Sequence, residues 1–411
     1  MSKSLRLRTT SSLVGGVIAG LTLIMSPAAA EENETGLTAA IAAGSPILEF
    51  RARYETANIS GVDDADAFTL RTRLGWKTGT WNNLSAVIEF DDVRALSGDY
   101  NDAVPPAEPF AVIADPEVTE LNILQVAWAP TSNFKATVGR QRIVLDNQRF
   151  VGAVGWRQDD QTFDALRLDG SFGGVSITYA YIDHVNRIFA EELDWESSSH
   201  ILNASYTFGP ALKLTGFAYL LDFDNAAGAS NATYGVSGTG KTTLGPVNLS
   251  YAATYATQSD YGDNPTDYNA DYFEIEATAA HGPFALRAGF ESLEGSGPGE
   301  SFSTPLATLH AFNGWADVFL ATPTGGLEDA FVAASYAPHV DLSFLSNPKF
   351  TLAYHDFESE NASTDLGDEI DFVATASITE HLSVLAKFAD YDGPGAPADR
   401  TRTWFGFEYK L

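Results

Sequence analysis

From about residue 46 to its last residue this chain repeats one pattern: short segments in which apolar and polar side chains alternate, separated by connections of alternating length. In the segment Pro46–Tyr54, Glu49, Arg51 and Arg53 fall on one face, and Leu48, Phe50, Ala52 and Tyr54 on the other. Phe68, Leu70, Leu74 and Trp76 oppose Arg71, Arg73 and Lys77; Phe273, Ile275, Ala277 and Ala279 oppose Glu274, Glu276 and Thr278. Successive side chains of a strand point to opposite faces, so each segment reads as a strand with one apolar and one polar face. A sandwich would also alternate, but it would rarely keep one face so polar over so many strands. A sheet in lipid must pair every backbone group, which only a closed barrel achieves.

The connections sharpen this. Short turns are expected near Gly79–Asn83, Pro130–Asn133, Phe172–Gly174, Gly209–Pro210, Gly245–Pro246, Gly282–Pro283 and Thr379–His381. Longer polar stretches are expected at about 94–115, 143–160, 185–198, 222–231, 257–270, 293–325, 357–367 and 390–400, with one longer turn near 338–346. Short periplasmic turns and long external loops are the habit of outer-membrane barrels. The fold expected is therefore all-β, a transmembrane antiparallel barrel of about 18 strands over 46–411, 16 lying within the boundary error, with both ends periplasmic. Phe405, Phe407, Tyr409 and Leu411 alternate to the end, similar to the C-terminal assembly signal of outer-membrane proteins, except that Leu411 replaces the usual aromatic residue.

Residues 1–30 read as a signal peptide: Lys3, Arg6 and Arg8 precede the apolar run Leu13–Met25, and Ala28-Ala29-Ala30 offers a small-residue cleavage site. Residues 31–45 read as a periplasmic lead-in. Cysteine is absent, which excludes disulfides, thiol catalysis, thiolate metal sites and a lipid-anchored N-terminus. The whole chain carries a net charge of −30, and loss of three leader cations makes it more acidic, which disfavours nucleic acid as a partner. The partners expected are outer-membrane lipids and a small or polymeric anionic solute, with a monomer favoured over a trimer. No cofactor and no metal are expected.

A barrel of this girth is too wide for side chains to fill, so its lumen holds water or an inserted loop. The cations are concentrated early in the chain. By the alternation, Arg51, Arg53, Arg71, Arg73, Lys77 and Arg167 face inward, as do Arg287, Lys349, Lys387 and Arg402. Arginine favours carboxylate and phosphate, so the cluster suggests a solute-facing patch. The plainer reading is that these arginines pair with Glu49, Glu55, Glu89 and Asp91 and stiffen the wall.

One stretch, Gly139-Arg140-Gln141-Arg142 through Arg149-Phe150, Gly155-Trp156-Arg157 and Phe163-Asp164, resembles the alginate-export family of outer-membrane channels. A second, from Phe312-Asn-Gly-Trp315-Ala-Asp317 to Asp329, agrees with it. The resemblance implies a monomeric 18-stranded barrel with an arginine-lined constriction that passes anionic polysaccharide, and it adds Arg140, Arg142, Arg149 and Arg157 to the site. Phe134, Ala136 and Val138 would put Arg140 on the apolar face unless the strand ends or bulges near Gly139; the four arginines could instead fold with their loop into the lumen.

The function expected is a passive porin-like channel for anionic or polar solutes, alginate or related acidic saccharides included, narrowed by a loop such as 293–325 folding inward. A general cation-preferring porin is the alternative that the net charge suggests. A barrel hydrolase using His184, His200, His310 or His355 is the alternative from another class, though no motif ties these residues together. The loop acids Asp260, Asp263, Asp267 and Asp271 read as solvated rather than as a Ca²⁺ site.

Overall fold

A computed structural model describes residues 36–338, 340, 344–395 and 397–411. The signal peptide expected at 1–30 lies outside the described residues. Eighteen antiparallel strands form one sheet: β1 (Ser45–Ile59), β2 (Ala65–Lys77), β3 (Leu84–Asp99), β4 (Val118–Thr131), β5 (Phe134–Gln141) and β6 (Thr162–Phe172). They continue with β7 (Val175–Asn186), β8 (Trp195–Gly209), β9 (Leu212–Leu221), β10 (Asn231–Leu244), β11 (Val247–Asp260) and β12 (Asn269–His281). The rest are β13 (Phe284–Leu293), β14 (Leu327–Tyr336), β15 (Ser346–Glu358), β16 (Asp365–Ser377), β17 (Leu382–Asp392) and β18 (Arg400–Lys410). Each strand pairs with its sequence neighbours. β1 also pairs with β18, with Phe50 opposite Tyr409 and Tyr54 opposite Phe405, so the sheet closes and leaves no edge.

Burial is inverted relative to a soluble protein. Leu74, Phe90, Val138, Ile275 and Phe405 are all at least half exposed, whereas Arg71 and Asp91 in the same sheet are fully buried. Continuous apolar surface on this scale is far larger than water tolerates, and lipid is the solvent that suits it. At the periplasmic end the exposed apolar set turns aromatic and aliphatic at the turns, with Phe172, Phe208, Leu244 and Phe284 each more than 60% exposed.

One expectation about the connections is corrected. The loop expected at about 357–367 is only residues 359–364, as short as a periplasmic turn, because β15 runs to Glu358 and β16 starts at Asp365. Polar residues there continue the strands above the lipid band rather than ending them. In the lead-in, Leu37–Ala42 form a helix, α1, and β1 starts at Ser45. Trp76 Nε1 donates to Ile41 O at 2.9 Å and Gly79 N to Ala40 O at 2.8 Å, so α1 is tied to the turn after β2.

Candidate functional site

The loops 142–161 and 294–326 contain too many apolar residues to lie in water. Ile143, Leu145 and Val151 of the first, and Phe302, Leu306, Ala316 and Phe319 of the second, are buried in one apolar core with the inward wall residues Phe163, Phe217, Tyr219 and Tyr272. The two loops are also joined by backbone. Val151 and Leu306 form a parallel bridge, Gly152 N donates to Leu306 O at 2.8 Å, and Thr308 N donates to Gln148 O at 3.1 Å. A third segment, 100–117, packs Ala111 and Ile113 on Ala57, Ala65 and Ala67 of β1 and β2. The lumen is thus occupied by folded loops.

A buried loop brings carbonyls that water can no longer satisfy. The inward arginines satisfy them. Arg51 Nη1 donates to Arg157 O (2.9 Å), Arg53 Nη2 to Trp156 O (2.5 Å) and Arg71 Nη1 to Gln158 O (3.3 Å). On the neighbouring strand β18, Arg402 donates to Ala316 O and Val112 O, both at 3.0 Å, and Arg400 to Asp317 O at 2.8 Å. Carboxylates balance the charge: Arg51 pairs with Glu408 (3.0 Å), Arg71 with Glu49 (3.2 Å), and Arg73 with Asp91 and Asp160 (both 2.7 Å).

Three junctions lock the loops to each other and to the wall. At the first, Arg157 reaches Glu55 of β1 (3.1 Å), Asp317 of the 294–326 loop (2.9 Å) and Asp115 of the 100–117 segment (3.8 Å). At the second, Arg149 reaches Glu291 of β13 (2.5 Å), Thr304 (3.0 Å) and Asn313 (3.2 Å). At the third, His310 Nδ1 meets Asp317 (2.6 Å) while its Nε2 accepts from Lys387 Nζ of β17 (2.6 Å). Lys387 Nζ also lies over Trp315 (3.8 Å), Trp156 (4.2 Å) and Trp404 (5.3 Å), so three indole faces take up the rest of its charge. The backbone in these loops is strained to fit: Val154 and Asp317 adopt positive φ.

Titration in the loops follows from this packing. Burial pushes the His310 imidazole down to about 3; Asp317 opposes the shift, and Lys387 and Arg157 add to it. Burial acts to raise Asp317 and Asp160, but His310, Arg402 and Arg157 hold the first well below the carboxylate range, and Arg73, Arg142 and Arg71 do the same for the second. Asp159 goes the other way. It is buried with neither oxygen hydrogen-bonded, and burial, with Glu120, Asp91 and Asp160 nearby, pushes it well above the carboxylate range.

The sequence candidates therefore fall into distinct places. Arg51, Arg53, Arg71 and Arg73 face inward but lie behind the 142–161 loop; Arg51 is the least covered, its side chain 13% exposed. Arg142, Arg149 and Arg157 enter the lumen with their loop, Arg142 bonding Glu89 at 2.6 Å and also Asp160. Arg140 does not join them, which corrects its place among the lumen residues. Gln141 is buried inward and Val138 exposed outward, so Arg140 stays on the outer face, where it pairs with Asp164 at 2.9 Å. The chain turns inward only after Gln141. Arg167 faces inward, but it pairs with Asp169 (2.8 Å), away from the loops. Arg287 also faces inward, paired with Glu276, and stays largely open.

Asp115, Asp160, Asp317 and the Lys387–His310 contact were missed as a site, whereas Glu55 meets arginines as the plainer reading expected. The signal that could have found them is the apolar content of the loops that carry their partners. The imidazoles meet acids, a lysine and a tyrosine: His355 Nδ1 faces Asp329 (2.9 Å), His184 lies 3.6 Å from Asp194 and His200 bonds Tyr179. Among the described residues no three metal-binding groups converge, and Asp271, expected in the acidic loop, lies in β12 and accepts from Tyr255.

Several cavities lie on the periplasmic side of the loops, and two of them touch the loops themselves. The larger, 560 Å³, has Glu291, Asn313 and Trp315 above and Arg287, Lys349 and Thr351 on its wall. The other, 300 Å³, is lined by Arg51, Arg53, Trp156 and Glu408. A third cavity, also 300 Å³, lies between the external loops and has Arg149 in its lining.

Comparison with known proteins agrees with this architecture. Residues 47–184 match the family described as alginate export. No curated protein matches the sequence. Among solved structures, Pseudomonas aeruginosa OpdK, crystallised with vanillate, superposes with a TM-score of 0.72 at 13% identity, over 90% of this chain and 99% of that one. Acinetobacter baumannii OccAB4 gives 0.71 at 13% identity, over 90% and 98%. OccAB2 of the same organism gives 0.68 at 17% identity, over 90% and 99%. At such identities the likeness establishes the fold.

Proposed function

We propose, from the premise of an outer-membrane β-barrel of the porin type, that this chain is a passive channel for anionic or polar solutes, acidic saccharides of the alginate class among them. The observation that carries the reading is where cations remain open. Most inward arginines are spent on holding loops, but Arg287 and Lys349 are open in the larger of these periplasmic cavities, and Arg51, though bonded to the Arg157 carbonyl and Glu408, still borders the other. Vanillate, the ligand in the OpdK structure, is itself a carboxylate. Selectivity resides in these three cations, while Arg53, Arg71, Arg73, Arg149 and Arg157 set the width of the bore. Transport of this kind needs no catalytic step. Each chain encloses a complete bore, which supports the monomer as the working unit. Residues 1–30 are removed on export.

A cation-preferring channel is the second reading, favoured by Glu274, Glu291 and Asp329 in the lining of the larger cavity. The zero-current potential of the refolded barrel in a planar bilayer under a KCl gradient separates the two. Anion selectivity that falls in Arg51→Gln, Arg287→Gln and Lys349→Gln supports the first reading. Cation selectivity indifferent to all three substitutions supports the second and rejects the first.

A further inference from the structure

We infer that the cavity between the external loops is an entry subsite for a neutral, hydroxyl-rich solute, such as the uncharged part of a saccharide. Its rim is exposed at Leu320 and Thr324, and its floor is buried at Thr304 and Arg149, so it opens outward. Its side-chain polar groups are mainly hydroxyls: Ser301, Ser303, Thr304, Thr322 and Thr324. No carboxylate lines it, in a chain with 54 acidic residues.

The hydroxyl hydrogens decide what fits. Ser301 donates to Pro323 O (2.8 Å), Thr322 to Phe302 O (2.6 Å), and Ser303 points at Gln258 Oε1 (3.5 Å). Their oxygens keep free lone pairs and act as acceptors. Thr304 accepts from Arg149, which leaves its own O–H to donate. The cavity therefore offers mostly acceptors with a donor at its floor. An anion needs donors and finds few. An ammonium needs a carboxylate and meets a guanidinium instead. A solute hydroxyl, which both donates and accepts, satisfies both kinds of group. Phe319 and Tyr268 in the lining give an apolar surface for the C–H face of a sugar ring. Arg149 adds little net charge, because Glu291 takes it up at 2.5 Å.

The test is calorimetric binding to the intact barrel in detergent, which does not depend on conduction or on its selectivity. The probes are maltotriose, trigalacturonate and spermidine. Maltotriose is expected to bind tightest of the three. Thr322→Val with Thr324→Val, each removing one hydroxyl, should weaken it by about tenfold. Leu320→Trp, which fills the mouth and leaves every hydroxyl in place, should abolish it. Maltotriose that fails to bind, that binds no tighter than trigalacturonate or spermidine, or that is unaffected by both variants overturns the inference and leaves the channel reading standing.

Discussion

Replacing Arg157 with alanine should open the channel without unfolding the barrel. Arg157 is almost fully buried and ties three loop and wall carboxylates, Glu55, Asp317 and Asp115, at 2.9–3.8 Å. Arg402 still meets Glu55 at 3.0 Å and Arg53 still faces Asp115 at 3.7 Å, so those two acids keep a cation. Asp317 loses its guanidinium and keeps His310. Removing one partner of a buried ion pair costs about 3–5 kcal/mol, because the other charge is left uncompensated. That cost falls on the seat of the 142–161 and 294–326 loops, since every wall strand keeps its backbone pairs. At about 1.4 kcal/mol per factor of ten, the seated population falls relative to the unseated one by roughly two to three and a half orders of magnitude. Single-channel recording should show a larger or noisier conductance. Arg167→Ala is the control: it removes an inward arginine paired with Asp169 but touching no loop, and should leave conductance unchanged. Arg157→Lys keeps the charge without the fork that spans two carboxylates, and should lie between. Conductance of Arg157→Ala equal to wild type, in a barrel that still inserts, would refute the latch.

Asp159→Asn should steady the loop seat as pH rises. The folded pKa of Asp159 is raised, so its penalty is absent below about pH 3.9, grows as pH rises and is complete above the folded value. Gating noise should increase with pH in wild type and stay flat in the variant; parallel profiles would exclude Asp159 as the cause. His310 has a lowered folded pKa of about 3, so its contribution is intact above about pH 6.5 and is lost as pH falls toward 3. His310→Gln should blunt any acid-induced opening seen below pH 6. Arg140→Ala should change stability by less than about 1 kcal/mol and leave ion selectivity untouched, because its pair with Asp164 is partly exposed on the outer face; a shift in reversal potential would contradict that placement. Ile275→Arg, in the middle of β12 and facing lipid, should cost about 2–4 kcal/mol in urea unfolding from vesicles. Arginine at Thr278 on the lumen face should cost much less, and equal costs would mean the faces are misassigned.

The alternation and the connections pointed to the class of fold, to about 18 strands with 16 left open, and to the inward face of Arg51, Arg53, Arg71, Arg73, Arg167, Arg287 and Arg402. Period-two patterning is local, and a strand has only two faces, so Arg71 inward and Leu74 outward follow without coordinates. Even Arg140 obeyed the plain alternation set by Val138. What the chain by itself left open was where the loops go. Their direction depends on the apolar wall residues Phe163, Phe217 and Tyr272, which come from distant strands and meet Ile143 and Leu306 only once the barrel has closed. The same closure turned the arginine strip from an open, solute-facing patch into a set of donors for buried carbonyls. A guanidinium has five N–H groups, and only the tertiary structure says whether a loop or a passing solute receives them.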